Sequence, residues 1–333
     1  MPANYGIGMA SAGYIADQTQ LLQVIIDGLA LYNKTASPLI AALSNDETRE
    51  VWRVAQAPIP FETAGDGANT LKQQQTYRLL TAPLISYHTG AAWTIDGLQD
   101  ALPSDVTSTF DGILAGDVER QETELFKAMF MKRTAGAVGT AYQASAWNGE
   151  TDVPDWKNTT FFGAAHSHYI GINTATLALS HITAAIQDVK EHGYGRSQLW
   201  ALFNTAQAST VAALLNITVA SSLTTPQRVR AQDEGVWSGI RFAGTDFIFD
   251  DNVPAGYFGI LDPTVQPLRR RVHPNPEARG LQMFSESFDE HYPLAGRNFR
   301  RRYGWGWAHL GAGTFRQIVA STTYTNPSFR LNS

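Results

Sequence analysis

Apolar side chains recur at helical spacing in three parts of the chain. Residues 21–29 carry a short apolar stripe that predicts a helix. The longest stripe runs through residues 104–133, with Ser104 or Asp105 as the N-cap, and predicts a helix about 45 Å long at 1.5 Å per residue. Residues 180–193 predict a third helix, with the first of them, a serine, as its N-cap. The long helix exceeds the usual length in globular domains.

Residues 51–98 have a different pattern, extended and mostly polar. Their first branch is strand-like but carries Pro58 and Pro60, which a central sheet strand would not tolerate. Residues 63–70 are rich in turn-forming residues, and a second extended branch follows. We therefore predict a long two-stranded hairpin. Because such a ribbon has little apolar surface of its own, it needs another surface to lie on, for example a neighbouring subunit.

Strand and helix signals alternate between residues 175 and 285. Residues 199–203 indicate a buried strand, Asn204 can cap the helix after it, and two strands flank a turn at residues 252–256. Residues 297–321 alternate like a long strand and its continuation. Together with the helices, these patterns predict an α+β fold.

Composition narrows the classes of function. The 333 residues are 44% hydrophobic, enough for one large domain or two smaller ones, and the formal net charge of −5 argues against a free-standing nucleic-acid binder. The absence of cysteine excludes disulfides and cysteine-based metal sites. We expect no signal peptide and no membrane span, and no local signature of a catalytic triad stands out.

Two groups of residues could carry chemistry. Arginine runs occur at residues 269–271 and 300–302, where alternation along a strand would turn the middle arginine away from its neighbours. Pairing between subunits, a solvated face and DNA contact are the alternatives, in that order. His166 and His168 would share one face of a strand, as a metal pair does. Since no third ligand is marked by spacing, we interpret this pair as polar surface.

The order of these elements resembles the major capsid proteins of tailed bacteriophages, which have the Hong Kong 97-like fold. Two stretches carry the resemblance in letters, GIRFAGTDFIFDDNVPAGYFGILDPTVQPLRRRV and FDEHYPLAGRNFRRRYGWGWAHLGAGTFRQI. The resemblance implies five parts. They are an N-terminal arm at 1–50, an E-loop at 51–98, a P-domain at 99–174 with a spine helix at 104–133, an A-domain at 175–285, and a return to the P-domain at 286–333.

This resemblance implies a structural protein rather than an enzyme. The expected assembly is an icosahedral or prolate shell of hexamers and pentamers around double-stranded DNA, without cofactor, metal or membrane. The resemblance also implies a separate scaffolding protein, a portal, an optional decoration protein and weak non-specific contact with packaged DNA. The expected location is the virion capsid, assembled in the host bacterial cytoplasm.

Candidate contacts between subunits follow from the same resemblance. Lys72 lies where a family member that cross-links its subunits would carry the reactive lysine. The acidic residue that promotes the reaction is not matched in NFRRRYGWGW, so we expect no cross-link. The candidate contact residues are Asp66, Asn69, Lys72, Arg78, Arg269, Arg270, Arg271, Arg300, Arg301 and Arg302.

Two other functions remain open from the sequence. An encapsulin, a cellular shell that encloses a cargo enzyme, would have the same fold. A soluble metal-dependent hydrolase using His166 and His168 belongs to another class, and bound metal with activity lost on mutating either histidine would support it.

Overall fold

The structure is a computed structural model that describes residues 18–35, 37–55, 77–91, 101–134, 141–157, 159–215, 240–242, 244–285, 294 and 296–329. The helices are α1 (Gln18–Lys34), α2 (Pro38–Leu43), α3 (Pro103–Phe130), α4 (Leu179–Glu191) and α5 (Ala208–Leu214). The strands are β1 (Ser44–Glu47), β2 (Val51–Ala55), β3 (Tyr77–Thr81), β4 (Ile85–Ala91), β5 (Asn148–Glu150), β6 (His166–Ser167), β7 (Tyr169–Gly171), β8 (Leu199–Phe203), β9 (Ile240–Phe242), β10 (Thr245–Phe249), β11 (Tyr257–Leu261), β12 (Leu268–Val272), β13 (Leu281–Ser285), β14 (Arg297–Trp307) and β15 (Gly313–Gln317).

Strand β14 organises the first sheet. Along one edge its residues 297–303 pair antiparallel with β4. Along the other edge, residues 297–301 pair with β13 and residues 303–307 pair with β12. Strand β1 then adds to β12 in parallel. This sheet therefore joins segments from the beginning, the middle and the end of the chain.

Helix α3 packs with α1 on one face of that sheet. Its 28 residues span about 42 Å, and its apolar stripe forms a core with α1 and β14 in which the rings of Phe110 and Phe299 lie 6.0 Å apart. The predicted N-caps Ser104 and Asp105 are wrong, because the helix begins at Pro103 with Leu102 as its N-cap. The Asp105 carboxylate instead accepts a hydrogen bond from the Leu102 amide at 3.0 Å.

The C-terminal segment holds the end of helix α3. Tyr324 Oη donates to the Phe130 carbonyl at 2.6 Å. Asn326 accepts from the Lys132 amide at 2.8 Å and donates to its carbonyl at 3.0 Å. These bonds satisfy backbone groups that a helix end leaves without partners, and the helix ends three residues before the predicted position.

The second sheet has the order β7-β15-β11-β8-β10-β9. All five residues of β8 are buried, as predicted, and β8 separates the two strands that flank the turn at 252–256. The Asn204 side chain accepts from the Ala206 amide and so caps a 3-10 turn at Thr205–Gln207, whereas the N-cap of α5 is Gln207 rather than the predicted Asn204. Helix α4 covers this sheet. Its N-cap is Ala178 rather than the predicted Ser180, because His181 Nδ1 accepts the Ala178 amide hydrogen at 3.1 Å.

The base of the predicted hairpin is an antiparallel pair of strands, β2 and β3. The hairpin tip at residues 63–70 and the predicted arm at residues 1–16 lie outside the described residues. No helix in the described ranges is long and apolar enough to cross a membrane.

Candidate functional site: arginine strands and a histidine cluster

Arg301 points toward the helices. Its Nε lies 3.0 Å from Asp117 Oδ2 on α3, and its Nη2 donates to Asn33 Oδ1 at 3.1 Å. Asp117 also accepts a 2.6 Å hydrogen bond from Tyr32 Oη. Burial raises the pKa of the Asp117 carboxyl, although Arg301 acts in the opposite direction. The middle arginine of this run therefore has its acidic partner within the chain.

Arg300 and Arg302 project to the other face of β14, as alternation along a strand requires. The Arg300 guanidinium carbon lies 4.4 Å from the ring centroid of Phe284. Phe284 is 39% exposed, so its ring and the guanidinium form one partly open patch. Such combinations of aromatic and arginine side chains are enriched at protein interfaces.

The second run, on β12, alternates in the same way. Arg270 binds both carboxylate oxygens of Asp46 on β1, at 2.7 and 3.1 Å. Arg271 donates to the Ala82 carbonyl at 2.7 Å and lies 3.4 Å from Glu50 Oε2. Arg269 is partly buried on the same strand. Contacts of any of these arginines with a second subunit stay a prediction.

Arg78 is almost completely buried, with 2% of its surface exposed. It forms an ion pair with Asp152 and donates to Tyr142 Oη at 2.7 Å. Its guanidinium also lies 4.9 Å from the centroid of the Trp147 ring. These contacts tie the hairpin base to the segment after α3, and contact with another subunit stays a prediction. The candidates Asp66, Asn69 and Lys72 lie outside the described residues.

Three histidines meet beside Gly313 of β15 and the C-terminal end of α4. His166 and His168 come from β6 and the residue after it, and His192 follows the last residue of α4. The three ring centroids are 4.8–4.9 Å apart in every pair. The Nε2 atoms of His166 and His192 are 2.9 Å apart, and one nitrogen from each ring can be chosen so that all three lie within 4.8 Å.

The surroundings bury one of these imidazoles completely and the other two in part. His168 is fully buried, and its Nδ1 lies 2.6 Å from the Gly313 carbonyl oxygen. The Phe161 ring stacks on His192 with the centroids 4.3 Å apart. Burial is the main cause that lowers the pKa of His168 well below its usual range and that of His192 to about 3, and neighbouring histidines contribute to both shifts. Burial also lowers the pKa of His166. The surroundings therefore favour the neutral form of all three rings.

This cluster corrects one interpretation and adds one residue. His166 and His168 share a face, as predicted, but His168 is core rather than polar surface. His192 had no signal of its own, because it stands 24 positions beyond His168 and no spacing rule links a strand to the far end of the next helix. A glycine makes room for it, since a Cβ on Gly311 would lie 2.9 Å from His192 Cβ.

Comparisons with known proteins find solved structures that are similar to this architecture. No protein-family model matches the chain, and no curated protein matches it by sequence. Among solved structures, a chain from Mycobacterium phage Patience is similar with a TM-score of 0.66 and 21% identity, covering 96% of both chains. A chain from the capsid of an empty GTA particle has a TM-score of 0.53 and 12% identity, covering 85% of this chain and 90% of that one.

The chain has the Hong Kong 97-like capsid fold. The predicted α+β fold class is thereby confirmed. A chain of the holo-SrpI encapsulin complex from Synechococcus elongatus is also similar, with a TM-score of 0.48 and 14% identity, covering 89% of this chain and 92% of that one.

Proposed function

We propose that the protein is the major capsid protein of a tailed double-stranded-DNA phage. The observation that carries the proposal is the capsid fold itself, shared over 96% of the chain with a phage structure. Because the match runs through almost the whole chain, nearly every element belongs to a fold built for shells. Many copies would form hexamers and pentamers, and these would close into an icosahedral or prolate shell.

The described surface suits such an assembly. A closed shell needs contacts between different patches of neighbouring subunits rather than one self-complementary patch. Val51 on β2 and Ile85 on β4 are 38% and 43% exposed, and residues 56–76 connect β2 to β3. A hairpin that lies over a neighbour adds contact area there. Individual contacts can be weak because several neighbours hold each subunit at once.

The predicted division into parts becomes part of this proposal. The arm at 1–50, the E-loop at 51–98 and the P-domain at 99–174 precede the A-domain at 175–285, and residues 286–333 return to the P-domain. The second sheet and its own hydrophobic core support a separate A-domain. Strands β12 and β13, at the end of that range, pair with β14 in the first sheet and so fasten the A-domain to the P-domain.

Weak contact with the genome follows from the charges. The net charge is −5, and Arg270, Arg271 and Arg301 have acidic partners within the chain. Strong binding to phosphates would require clustered, unpaired cations.

The proposal also includes a separate scaffolding protein and a portal, an optional decoration protein, assembly in the bacterial cytoplasm and a location in the virion. It assigns the protein a structural role rather than a catalytic one.

Electron microscopy after size-exclusion chromatography tests the proposal. The full chain, expressed without a tag, should give closed particles or rings of five and six subunits. Co-expression with the scaffolding protein should raise the yield of closed particles. A chain that stays monomeric with and without scaffold, at high concentration and under crowding, would contradict the proposal.

A variant that lacks residues 63–70, the predicted E-loop tip, tests whether the hairpin takes part in assembly. It should keep the far-ultraviolet circular dichroism and unfolding midpoint of the parent subunit while its particle yield falls. Normal particles from this variant would contradict the E-loop assignment. Mass spectrometry of the particle contents separates the encapsulin alternative, because an encapsulin would hold a stoichiometric cargo protein.

A further inference from the structure

His168 has one ring nitrogen whose role in the fold is clear and one whose role is not. Nδ1 faces the Gly313 carbonyl oxygen at 2.6 Å, and because a carbonyl can only accept, Nδ1 carries the proton and donates it. In the neutral imidazole, which carries a single ring proton, Nε2 is then the unprotonated acceptor. It is buried and has no hydrogen-bond partner among the described residues. A buried polar atom without a hydrogen-bond partner is unusual in proteins, and a bound ligand would supply the missing partner.

The two neighbouring rings place further nitrogens beside it. His166 Nε2 and His192 Nε2 are 2.9 Å apart, and the three rings can offer one nitrogen each within 4.8 Å of one another. Around a tetrahedral zinc ion with bonds of about 2.0–2.1 Å, ligand nitrogens are about 3.3–3.4 Å apart. The observed separations bracket that value, so small side-chain rotations would bring the three nitrogens to it.

We propose that His166, His168 and His192 bind one divalent transition-metal ion of the zinc class through a nitrogen of each ring. Neutral imidazole suits zinc, copper, nickel and iron, whereas calcium and magnesium prefer oxygen ligands. The Nδ1–H bond of His168 to a backbone carbonyl is the arrangement that commonly fixes the tautomer of a ligating histidine. The fourth position is left for water.

The surroundings of the site suit an ion that stabilises the fold. His168 is fully buried, and Phe161 covers His192 with a stacked ring and meets His166 edge-on with the centroids 4.8 Å apart. Phe161 belongs to the core that includes the spine helix, whereas α4, which ends beside His192, belongs to the core of the second sheet. A bound ion would therefore fasten two hydrophobic cores to each other.

Metal analysis of the untagged full chain tests the site. The chain is stripped with chelator, mixed with zinc chloride, desalted and measured by inductively coupled plasma mass spectrometry. We expect about one zinc per chain and a rise in the unfolding midpoint of about 5 °C under saturating zinc. Cobalt in place of zinc should give the visible absorption bands of tetrahedral nitrogen coordination, a readout that needs no variant.

The variants are His192→Gln and, as a matched control, His88→Gln on exposed strand β4. The first should lose the retained zinc, the cobalt bands and the thermal shift, and the second should keep all three. Wild-type protein without retained zinc and without cobalt bands would overturn the proposal. Equal zinc retention by His192→Gln and wild type would also overturn it, because the ion would then bind elsewhere.

Discussion

Arg301 and Asp117 connect the longest strand of the first sheet to the spine helix through an ion pair of 3.0 Å, with 11% and 9% of the two side chains exposed. At such burial, each charge depends on the other for the polar contacts that water no longer supplies. The pair therefore fixes the position of α3 on the sheet as well as contributing energy.

Removing one partner should cost more than removing both. Asp117→Ala leaves the Arg301 guanidinium buried without its carboxylate, and we expect the free energy of unfolding to fall by roughly 3–5 kcal/mol. The double variant Asp117→Leu/Arg301→Met should recover much of that loss. Urea unfolding of the unassembled subunit measures both variants, and a double variant no more stable than Asp117→Ala would contradict the prediction.

Reversing the charge on the other face of β14 should affect assembly rather than folding. Arg300 lies over the exposed Phe284 and has no acidic partner among the described residues, so Arg300→Glu should leave the unfolding free energy within about 1 kcal/mol of the parent. Particle yield in size-exclusion chromatography should fall strongly. Lys190→Glu, the same reversal on the exposed face of α4, is the control. Equal yields from the two variants would argue that this face stays in solvent.

Two glycine substitutions should change the stability of the subunit in opposite directions. A Cβ on Gly304 would stand 1.7 Å from the Pro83 carbonyl oxygen, so Gly304→Ala should force β14 away from the segment before β4 and destabilise the subunit by about 3 kcal/mol or more. A Cβ on Gly112, in the exposed part of α3, meets no atom within 4 Å. Gly112→Ala should therefore stabilise it by roughly 0.5–1 kcal/mol. Thermal and urea unfolding of the two variants measure both changes in stability.

Arg78 should contribute more to the stability of the subunit than an exposed arginine that pairs with a similar acidic residue. Arg78→Met removes the ion pair with Asp152, the bond to Tyr142 and the contact with Trp147, and should cost roughly 2–4 kcal/mol. Arg49→Met, which breaks a pair with Glu47 whose arginine is 70% exposed, should change little. Similar unfolding midpoints for the two variants would contradict the importance assigned to burial.

The sequence predicted the local elements best. The long helix α3 and the buried strand β8 follow from residues close together in the chain, and the structure confirms them. The N-caps at Ser104 and Ser180 were wrong because Asp105 and His181 bond to the backbone amides before them. Such a choice between neighbouring polar side chains is decided by geometry that composition does not contain.

Contacts between distant segments were not predictable in the same way. The partnership of Arg301 with Asp117 depends on which face of β14 meets α3, and that is set by the order of strands in the sheet. The position of His192 beside His166 depends on how α4 lies against the segment after α3. A single sequence shows the periodicity of each helix and strand, but it does not show which elements pack against each other.

Strand β14 separates β4 from β12 and β13 in one sheet, and β15 separates β7 from β11 in the other. Both follow all of their partner strands in the chain and are therefore synthesised after them. Until they emerge, β4, β13 and β7 lack the strands with which they pair in the described structure, and exposed strand edges invite aggregation and proteolysis. A chain released early by a damaged message would therefore lack the pieces that close either sheet. Only a translation product that includes residues 297–317 can therefore complete both sheets.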